Sequence, residues 1–144
     1  MIPRHVLMTA DAVGGVWTYA LDLSQALARR GVRVTLAILG PPPDAAQKRA
    51  AEAVQGLELV ETGLPLDWLA DGPQALEQAA RSLRDLAAEK RTDLIHLNSP
   101  ALMDAASWRA PVVGACHSCL ATWWDTVRGG AMPEDFVWRT ERLA

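Results

Sequence analysis

Two glycines stand between an apolar strand-forming run and a long amphipathic segment, where a chain can bind an anion. Gly14 and Gly15 follow the run 6–8 and precede a helical pattern over 16–30. A helix N-terminus presents free N–H groups and the positive end of the helix dipole. Glycines let a phosphate come close because they carry no Cβ, although a tight turn alone would also select them. The pair is therefore a candidate phosphate- or sugar-binding turn.

His117 is the candidate for proton chemistry, because it directly follows the apolar strand-forming segment 111–115. An imidazole at the end of a central strand can donate or accept a hydrogen bond, and it changes charge near neutral pH. The alternative is a histidine that only bonds within its own loop. His96 lies inside an apolar strand pattern, so we expect it to be a buried structural residue.

Several polar or aromatic residues fall near the same strand ends. Asp11 could act as an acid or base, or only cap a loop. Trp17 and the pair Trp123–Trp124 could stack on a sugar or pack between layers. The remaining cleft or acceptor candidates are Asn98 and Ser118. No Asp-x-Asp pair is present, so we expect no metal site.

Cys116 and Cys119 have the spacing of a redox pair or of half a zinc site. A structural zinc ion needs four ligands, and no second pair of cysteines exists. The motif also falls late in the chain rather than at an early helix start, so coincidental or packing cysteines are favoured. A thiol redox module remains an alternative function.

The nucleotide motifs that a sequence can show directly are absent. There is no G-x-G-x-x-G string and no acidic residue at the end of the second strand, where 38–41 reads ILGP. The P-loop string G-x-x-x-x-G-K-[ST] is missing as well. NAD binding and P-loop ATPase chemistry are therefore not expected, and we expect no cofactor.

The elements that must position these residues alternate between strand and helix. Apolar periodicity, proline and glycine predict five β-α units and hence an α/β fold, a Rossmann-like doubly wound parallel sheet with helices on both faces. In such sheets the ligand crevice lies at the switch point, here between the first strand and strand 93–97. The predicted strands are 4–9, 32–39, 57–60, 93–97 and 111–115, the predicted helices are 16–30, 44–54, 73–90, 100–108 and 133–144, and a loop precedes the last helix.

The bulk composition excludes some partners. The 144 residues are 50% hydrophobic and 22% charged, and the net charge is -3. We therefore expect no nucleic-acid partner and a cytoplasmic location. No apolar run reaches the ~18–20 residues that span a bilayer. The last predicted helix has no C-terminal cap, so we expect residues 1–144 to be one incomplete domain of a larger architecture.

Three segments together resemble the retaining GT-B glycosyltransferases of family 4. Residues 14–36, GGVWTYALDLSQALARRGVRVTL, are similar to the Gly-Gly turn, helix and second strand that open their N-terminal domains. Residues 93–99, DLIHLNS, look like the family's D-x-[IV]-H-x-H strand, and residues 111–118, PVVGACHS, look like its P-x-V-x-T-x-H strand. Val32 departs from the histidine that many relatives carry.

The resemblance implies the N-terminal, acceptor-side half of a GT-B fold. A nucleotide-sugar would then lie between two domains, with Gly14 and Gly15 against the donor and His117 lining the cleft near the transferred sugar. The reaction would retain the sugar's configuration without a metal, and the acceptor would be a sugar or a lipid-linked molecule, which leaves peripheral membrane contact open. The C-terminal domain that clamps the diphosphate would be missing, so we expect little or no transferase activity from this chain alone.

A different class of function is a non-catalytic flavodoxin-like binding or regulatory domain. A phospho-receiver of that fold needs an acidic cluster after the first strand and a lysine after the fifth. The chain has Asp11 alone at the first position and His117 at the second. The pattern fits this alternative poorly.

Overall fold

The computed structural model describes residues 2–103, 106–117 and 120–141. Within them, five strands form one sheet in which every paired neighbour runs parallel. The strands are β1 (His5–Asp11), β2 (Arg33–Leu39), β3 (Leu57–Glu61), β4 (Leu94–Leu97) and β5 (Val112–Gly114). Their spatial order is β3-β2-β1-β4-β5. The predicted α/β fold and the switch point between the first strand and strand 93–97 are confirmed.

The helices lie between and after these strands. The described helices are α1 (Gly15–Ala28), α2 (Ala45–Glu52), α3 (Pro73–Lys90), α4 (Leu120–Trp123) and α5 (Glu134–Glu141). Two short 3₁₀ turns cover Asp67–Leu69 and Pro100–Leu102, and a π-helical turn covers Trp124–Arg128.

Local signals explain the best-defined helix boundaries. α3 has the predicted bounds. It begins at Pro73 because the first turn of a helix does not need the backbone N–H that proline lacks. It ends before Arg91, where the backbone turns left-handed with φ +53°. α2 begins after Asp44, whose carboxylate accepts from the Gln47 N–H while the Gln47 side chain bonds back to the Asp44 N–H. This capping box satisfies two N–H groups that a helix start leaves open.

Alternating residues of the strands feed two hydrophobic cores, one on each face of the sheet. In β1, Leu7 packs with the core that α3 covers, whereas Val6 and Met8 pack with the core that α1 and α2 cover. Burial of both faces is typical of parallel sheets. Helices therefore lie on both faces, as the sequence predicts.

Asp93 ties the two central strands together at their amino ends. Its carboxylate accepts the backbone N–H groups of Arg4 and His5 at 2.9–3.1 Å. The start of β4 is thereby held beside the start of β1. This contact helps to set the register of the two strands and hence which residues lie at their carboxyl ends.

Two predicted elements are wrong. The helix expected over 100–108 is not found in its described residues: Pro100–Leu102 form a 3₁₀ turn, residues 106–108 are not helical, and the Met103 carbonyl accepts the Trp108 indole N–H at 2.8 Å. The loop expected over 118–132 contains α4 and the π-helical turn, whose backbone bonds close at Gly129 through its N–H to the Trp124 carbonyl.

Candidate functional site

The carboxyl ends of β1, β4 and β5 are adjacent in the sheet and carry most of the predicted site residues. Asp11 ends β1, Asn98 directly follows β4, and His117 lies three residues beyond β5. The order of the strands brings these three positions to one edge, although they are up to 106 positions apart in the chain.

The turn between β1 and α1 is held by Asp11. Its side chain is only 4% exposed, and Oδ1 accepts the Val13 N–H at 2.8 Å. Asp11 therefore shapes the turn from inside it. This contact favours the loop-cap reading of Asp11 over its use as an acid or base.

Gly14 and Gly15 differ in why they are glycines. Gly14 has φ +107°, which side-chain-bearing residues rarely adopt, so the turn itself requires it. Gly15 is the first residue of α1 and does not have a positive φ. A Cβ built on Gly15 meets no atom within 4 Å in the described chain. Neither backbone geometry nor internal packing therefore explains the missing side chain at Gly15.

The N-terminus of α1 has no side-chain cap and no acidic residue in its first turn. Both glycines are exposed. The first N–H groups of the helix are therefore not satisfied by a capping side chain, and the positive end of the helix dipole is not neutralised by a carboxylate of the helix. An anion is the natural complement of this arrangement.

His117 is held by Asn98, which is in turn held by Thr9. His117 Nε2 lies 2.7 Å from Asn98 Oδ1. Asn98 Nδ2 donates to the Thr9 carbonyl at 2.6 Å, and the Asn98 backbone N–H donates to Thr9 Oγ1 at 2.9 Å. Thr9 is fully buried in β1. The exposed imidazole is thus anchored through two bonded residues to the centre of the sheet.

Tyr19 is a site residue that the sequence reasoning did not single out. Its ring packs edge-on against His117, with centroids 4.6 Å apart, and against His96 at 6.0 Å. Tyr19 is one helical turn beyond Gly15 on α1. His117 therefore lies on the same side of the sheet edge as the amide-bearing start of α1. The i, i+4 spacing from Gly15 is the signal that could have found Tyr19.

His96 is buried, as predicted, at 8% exposure. Among the described residues its Nε2 has no hydrogen-bond partner. Burial, and after it the neighbouring His117, lowers the pKa of His96 below its ordinary value. The neutral form of this imidazole is therefore favoured relative to an exposed histidine, and its ring lies edge-on to Tyr19.

The other candidates are placed differently. Trp17 is 7% exposed and packs in the core between the sheet and α1, so it offers little surface on which a sugar could stack. Ser118 and Cys119 lie outside the described residues, and Cys116 is exposed, so the redox hypothesis stays a prediction. Trp123 and Trp124 contact each other edge-on at 6.3 Å, and the Arg128 guanidinium lies 5.9 Å from the Trp123 ring centre.

The described ranges show neither a group of metal-binding side chains nor a helix that could span a membrane. In residues 2–103, 106–117 and 120–141, no three His, Cys, Asp or Glu side chains are grouped so that they could hold a metal ion. In the same part of the chain, no helix combines the length and apolar character needed to cross a membrane.

One protein-family model matches most of the chain. The family model described as Glycosyltransferase Family 4 matches residues 13–143. No curated protein matches the chain.

Solved structures of glycosyltransferases share the fold. A glycosyltransferase from Rickettsia africae ESF-5 has a TM-score of 0.58 at 12% identity, over 86% of this chain and 34% of its own. CalG4, the calicheamicin glycosyltransferase, has a TM-score of 0.52 at 24% identity, over 99% of this chain and 40% of its own. The kitacinnamycin glycosyltransferase has a TM-score of 0.51 at 24% identity, over 78% and 30%. The chain thus spans 30–40% of the length of these three proteins.

Proposed function

Because this chain belongs to Glycosyltransferase Family 4, we propose that it is the N-terminal, acceptor-side domain of a sugar transferase that retains configuration. The donor is a nucleotide-sugar, and the acceptor is a hydroxyl group of a sugar or of a lipid-linked molecule. The transfer needs no metal ion. A second domain, outside these 144 residues, supplies the remaining donor contacts.

The observation that carries the proposal is the start of α1. Gly15 has an ordinary helical backbone and empty space where its Cβ would be. A ligand that approaches the helix amides gives a reason for the missing side chain, whereas the fold gives none. The absence of a capping side chain at the same terminus supports the same reading.

The chemistry of sugar transfer fits these groups. As the bond between the anomeric carbon and the donor phosphate breaks, negative charge develops on the leaving diphosphate. Helix N–H groups that are already oriented stabilise that charge without having to reorganise. Neutral donors of this kind can take over part of the role that a metal ion has in other transferases.

His117 supplies the second half of the site. Its ring contacts Tyr19, which is one helical turn beyond Gly15 on α1, and this contact supports a position of the imidazole beside the Gly14–Gly15 turn. In this position it can bond a hydroxyl of the transferred sugar or of the acceptor. As the bond between the anomeric carbon and the diphosphate oxygen breaks, the acceptor oxygen bonds to the anomeric carbon and its proton passes to the leaving diphosphate.

The test is binding by the 144-residue chain, measured by calorimetry with uridine, guanosine and adenosine diphosphate sugars. Gly15→Val places a branched side chain over the amides and should weaken binding at least about tenfold, equivalent to about 1.4 kcal/mol. Ala45→Val is the matched control, because Ala45 is the exposed first residue of α2. It should leave binding unchanged.

Both variants should unfold at nearly the wild-type denaturant concentration. The proposal fails if none of the three donors binds, or if Gly15→Val binds as tightly as the wild type. Turnover of a nucleotide-sugar by the pure chain would contradict the expectation that a second domain is required.

A further inference from the structure

We propose that Asn98 is a positioning residue that holds His117 with its proton on Nε2 and so presents Nδ1 as a hydrogen-bond acceptor for a substrate hydroxyl. The part concerning the hydroxyl rests on the proposed function. The part concerning the proton rests on the hydrogen bonds of the chain alone.

The orientation of the Asn98 amide is fixed by what surrounds it. Its side chain has one atom 2.6 Å from the Thr9 carbonyl oxygen, which can only accept a hydrogen bond. That atom must therefore be the NH₂ group. The reversed amide would place two acceptor oxygens in contact, without a hydrogen between them, in a partly buried position.

The fixed amide then dictates the tautomer of His117. The remaining Asn98 atom is the carbonyl Oδ1, which has no hydrogen to donate, and it lies 2.7 Å from His117 Nε2. The Nε2 atom must carry the hydrogen in this contact. In a neutral imidazole the other nitrogen, Nδ1, then has a free lone pair and can only accept.

The anchoring is rigid because each member belongs to a different neighbouring strand. Thr9 is in β1, Asn98 follows β4, and His117 follows β5. The Asn98 backbone N–H also donates to Thr9 Oγ1, so Asn98 is attached to one buried residue through both its backbone and its side chain. Tyr19 packs against the imidazole from α1 and limits rotation of the ring.

An acceptor at Nδ1 suits a sugar rather than a phosphate. A hydroxyl group donates its hydrogen to such a lone pair, whereas a diphosphate oxygen has no hydrogen to offer and is repelled by it. The two halves of the site are therefore complementary in polarity. The α1 amides donate to the anion, and Nδ1 of the His117 ring, in the neutral form of that ring, accepts from the hydroxyl.

The tautomer can be measured on the 144-residue chain by ¹⁵N nuclear magnetic resonance of its histidine rings at alkaline pH, where imidazoles are neutral. We expect a protonated Nε2, an unprotonated Nδ1 and an Nε2–H proton that is protected from exchange with water. The His117 signals are assigned from their loss in His117→Gln. A proton on Nδ1 in the wild type overturns the proposal, whatever any variant does.

Asn98→Ala removes the acceptor and should let both tautomers form, so that the ¹⁵N shifts of the two nitrogens move toward each other and the Nε2–H signal is lost. His5 is the internal control, because its ring bonds Thr35 from the start of β1. Its shifts should not move if the variant is folded. Unchanged His117 shifts in a folded Asn98→Ala chain also overturn the proposal.

A binding measurement separates this inference from the proposed function. Asn98→Ala should weaken binding of the nucleotide-sugar several-fold more than binding of the matching nucleoside diphosphate, which lacks the sugar hydroxyls. Equal weakening of both ligands counts against Nδ1 as the hydroxyl acceptor. If neither ligand binds the wild type, the proposed function fails while the tautomer experiment still decides the role of Asn98.

Discussion

The Tyr19 ring packs edge-on against the His117 imidazole, with the ring centroids 4.6 Å apart and the planes at 66°. This contact joins α1, whose amides begin the site, to the segment after β5, which ends it. It is also the relationship that gives His117 a position relative to Gly15. The contact therefore links the two candidate parts of the site, the glycine turn and the histidine.

Removal of the Tyr19 ring should loosen this unit. Tyr19→Ala is expected to lower the free energy of unfolding by about 1 kcal/mol, because an edge-to-face aromatic pair and part of a half-exposed ring are lost. Tyr19→Phe retains the ring and should stay within about 0.5 kcal/mol of the wild type. Urea unfolding and the ring-current shifts of the His117 protons measure the two effects. Equal stability of the two variants would show that the ring contact contributes nothing.

The two glycines should respond differently to the same methyl group. Gly14→Ala should destabilise the fold by about 1–3 kcal/mol, because its φ of +107° is strained for any residue with a Cβ. Gly15→Ala should change stability by less than about 0.5 kcal/mol, since its backbone is helical and the space is open. Each methyl group meets no atom within 4 Å in the described chain, so thermal unfolding isolates the backbone effect. The reverse ranking would mean that the turn has been misassigned.

Asp93 should make the free energy of unfolding depend on pH in the acid range. Burial alone would raise the pKa of its carboxyl, but the backbone N–H groups of Arg4, His5 and Asp93 itself hold that pKa below the ordinary value of 3.8. The contribution is therefore complete above that value and is lost as the pH falls through the lower pKa of the folded state. Asp93→Asn keeps one side-chain oxygen that can accept these N–H groups and replaces the other with an NH₂ group, which cannot.

We expect Asp93→Asn to lower the free energy of unfolding by about 1 kcal/mol near neutral pH. The difference from the wild type should shrink in strong acid, where the wild-type carboxyl is itself protonated. Denaturant curves at both extremes of pH test this. A difference that stays constant with pH would show that the loss is not electrostatic.

His96 should make the fold sensitive to mild acid. Its pKa is lowered by burial and by His117, so the unfolded chain binds a proton more readily than the native one. Stability is therefore full above the ordinary histidine value of 6.5 and declines as the pH falls toward the lower native pKa. His96→Phe removes a buried nitrogen that has no partner among the described residues, and it keeps an aromatic ring beside Tyr19.

We expect His96→Phe to be at least as stable as the wild type at about pH 8 and to lose less stability on acidification to about pH 5.5. Some loss should persist, because burial also lowers the pKa of His5 and that histidine remains. Unfolding at the two pH values measures both quantities. A steeper loss in the variant would contradict a neutral, buried His96.

Most of the sheet and its long helices could be predicted because their signals are local. Pro73 at the start of α3 and Asp44 before α2 act on N–H groups within one turn. The edge that gathers Asp11, Asn98 and His117 could be predicted from the parallel alternation alone. These conclusions needed only the chain's periodicity and the handedness of its connections.

The features that the sequence analysis predicted wrongly or missed depend on contacts between residues that are far apart in the chain, or on side chains that bond to the backbone. In place of the helix expected over 100–108, the described residues show a 3₁₀ turn and a contact of the Trp108 indole with the Met103 carbonyl. The packing of Tyr19 on His117 joins residues 98 positions apart and depends on how far two elements project beyond the sheet. No local pattern reports that distance, and no spacing reveals that Asn98 bonds to both Thr9 and His117.

Thr9 is fully buried in a central strand, so the attachment of Asn98 and His117 depends little on the surface segments that follow. An imidazole attached in this way can serve as a fixed reference point in redesign, because the described surface residues around it can be varied while the sheet that anchors it is left intact.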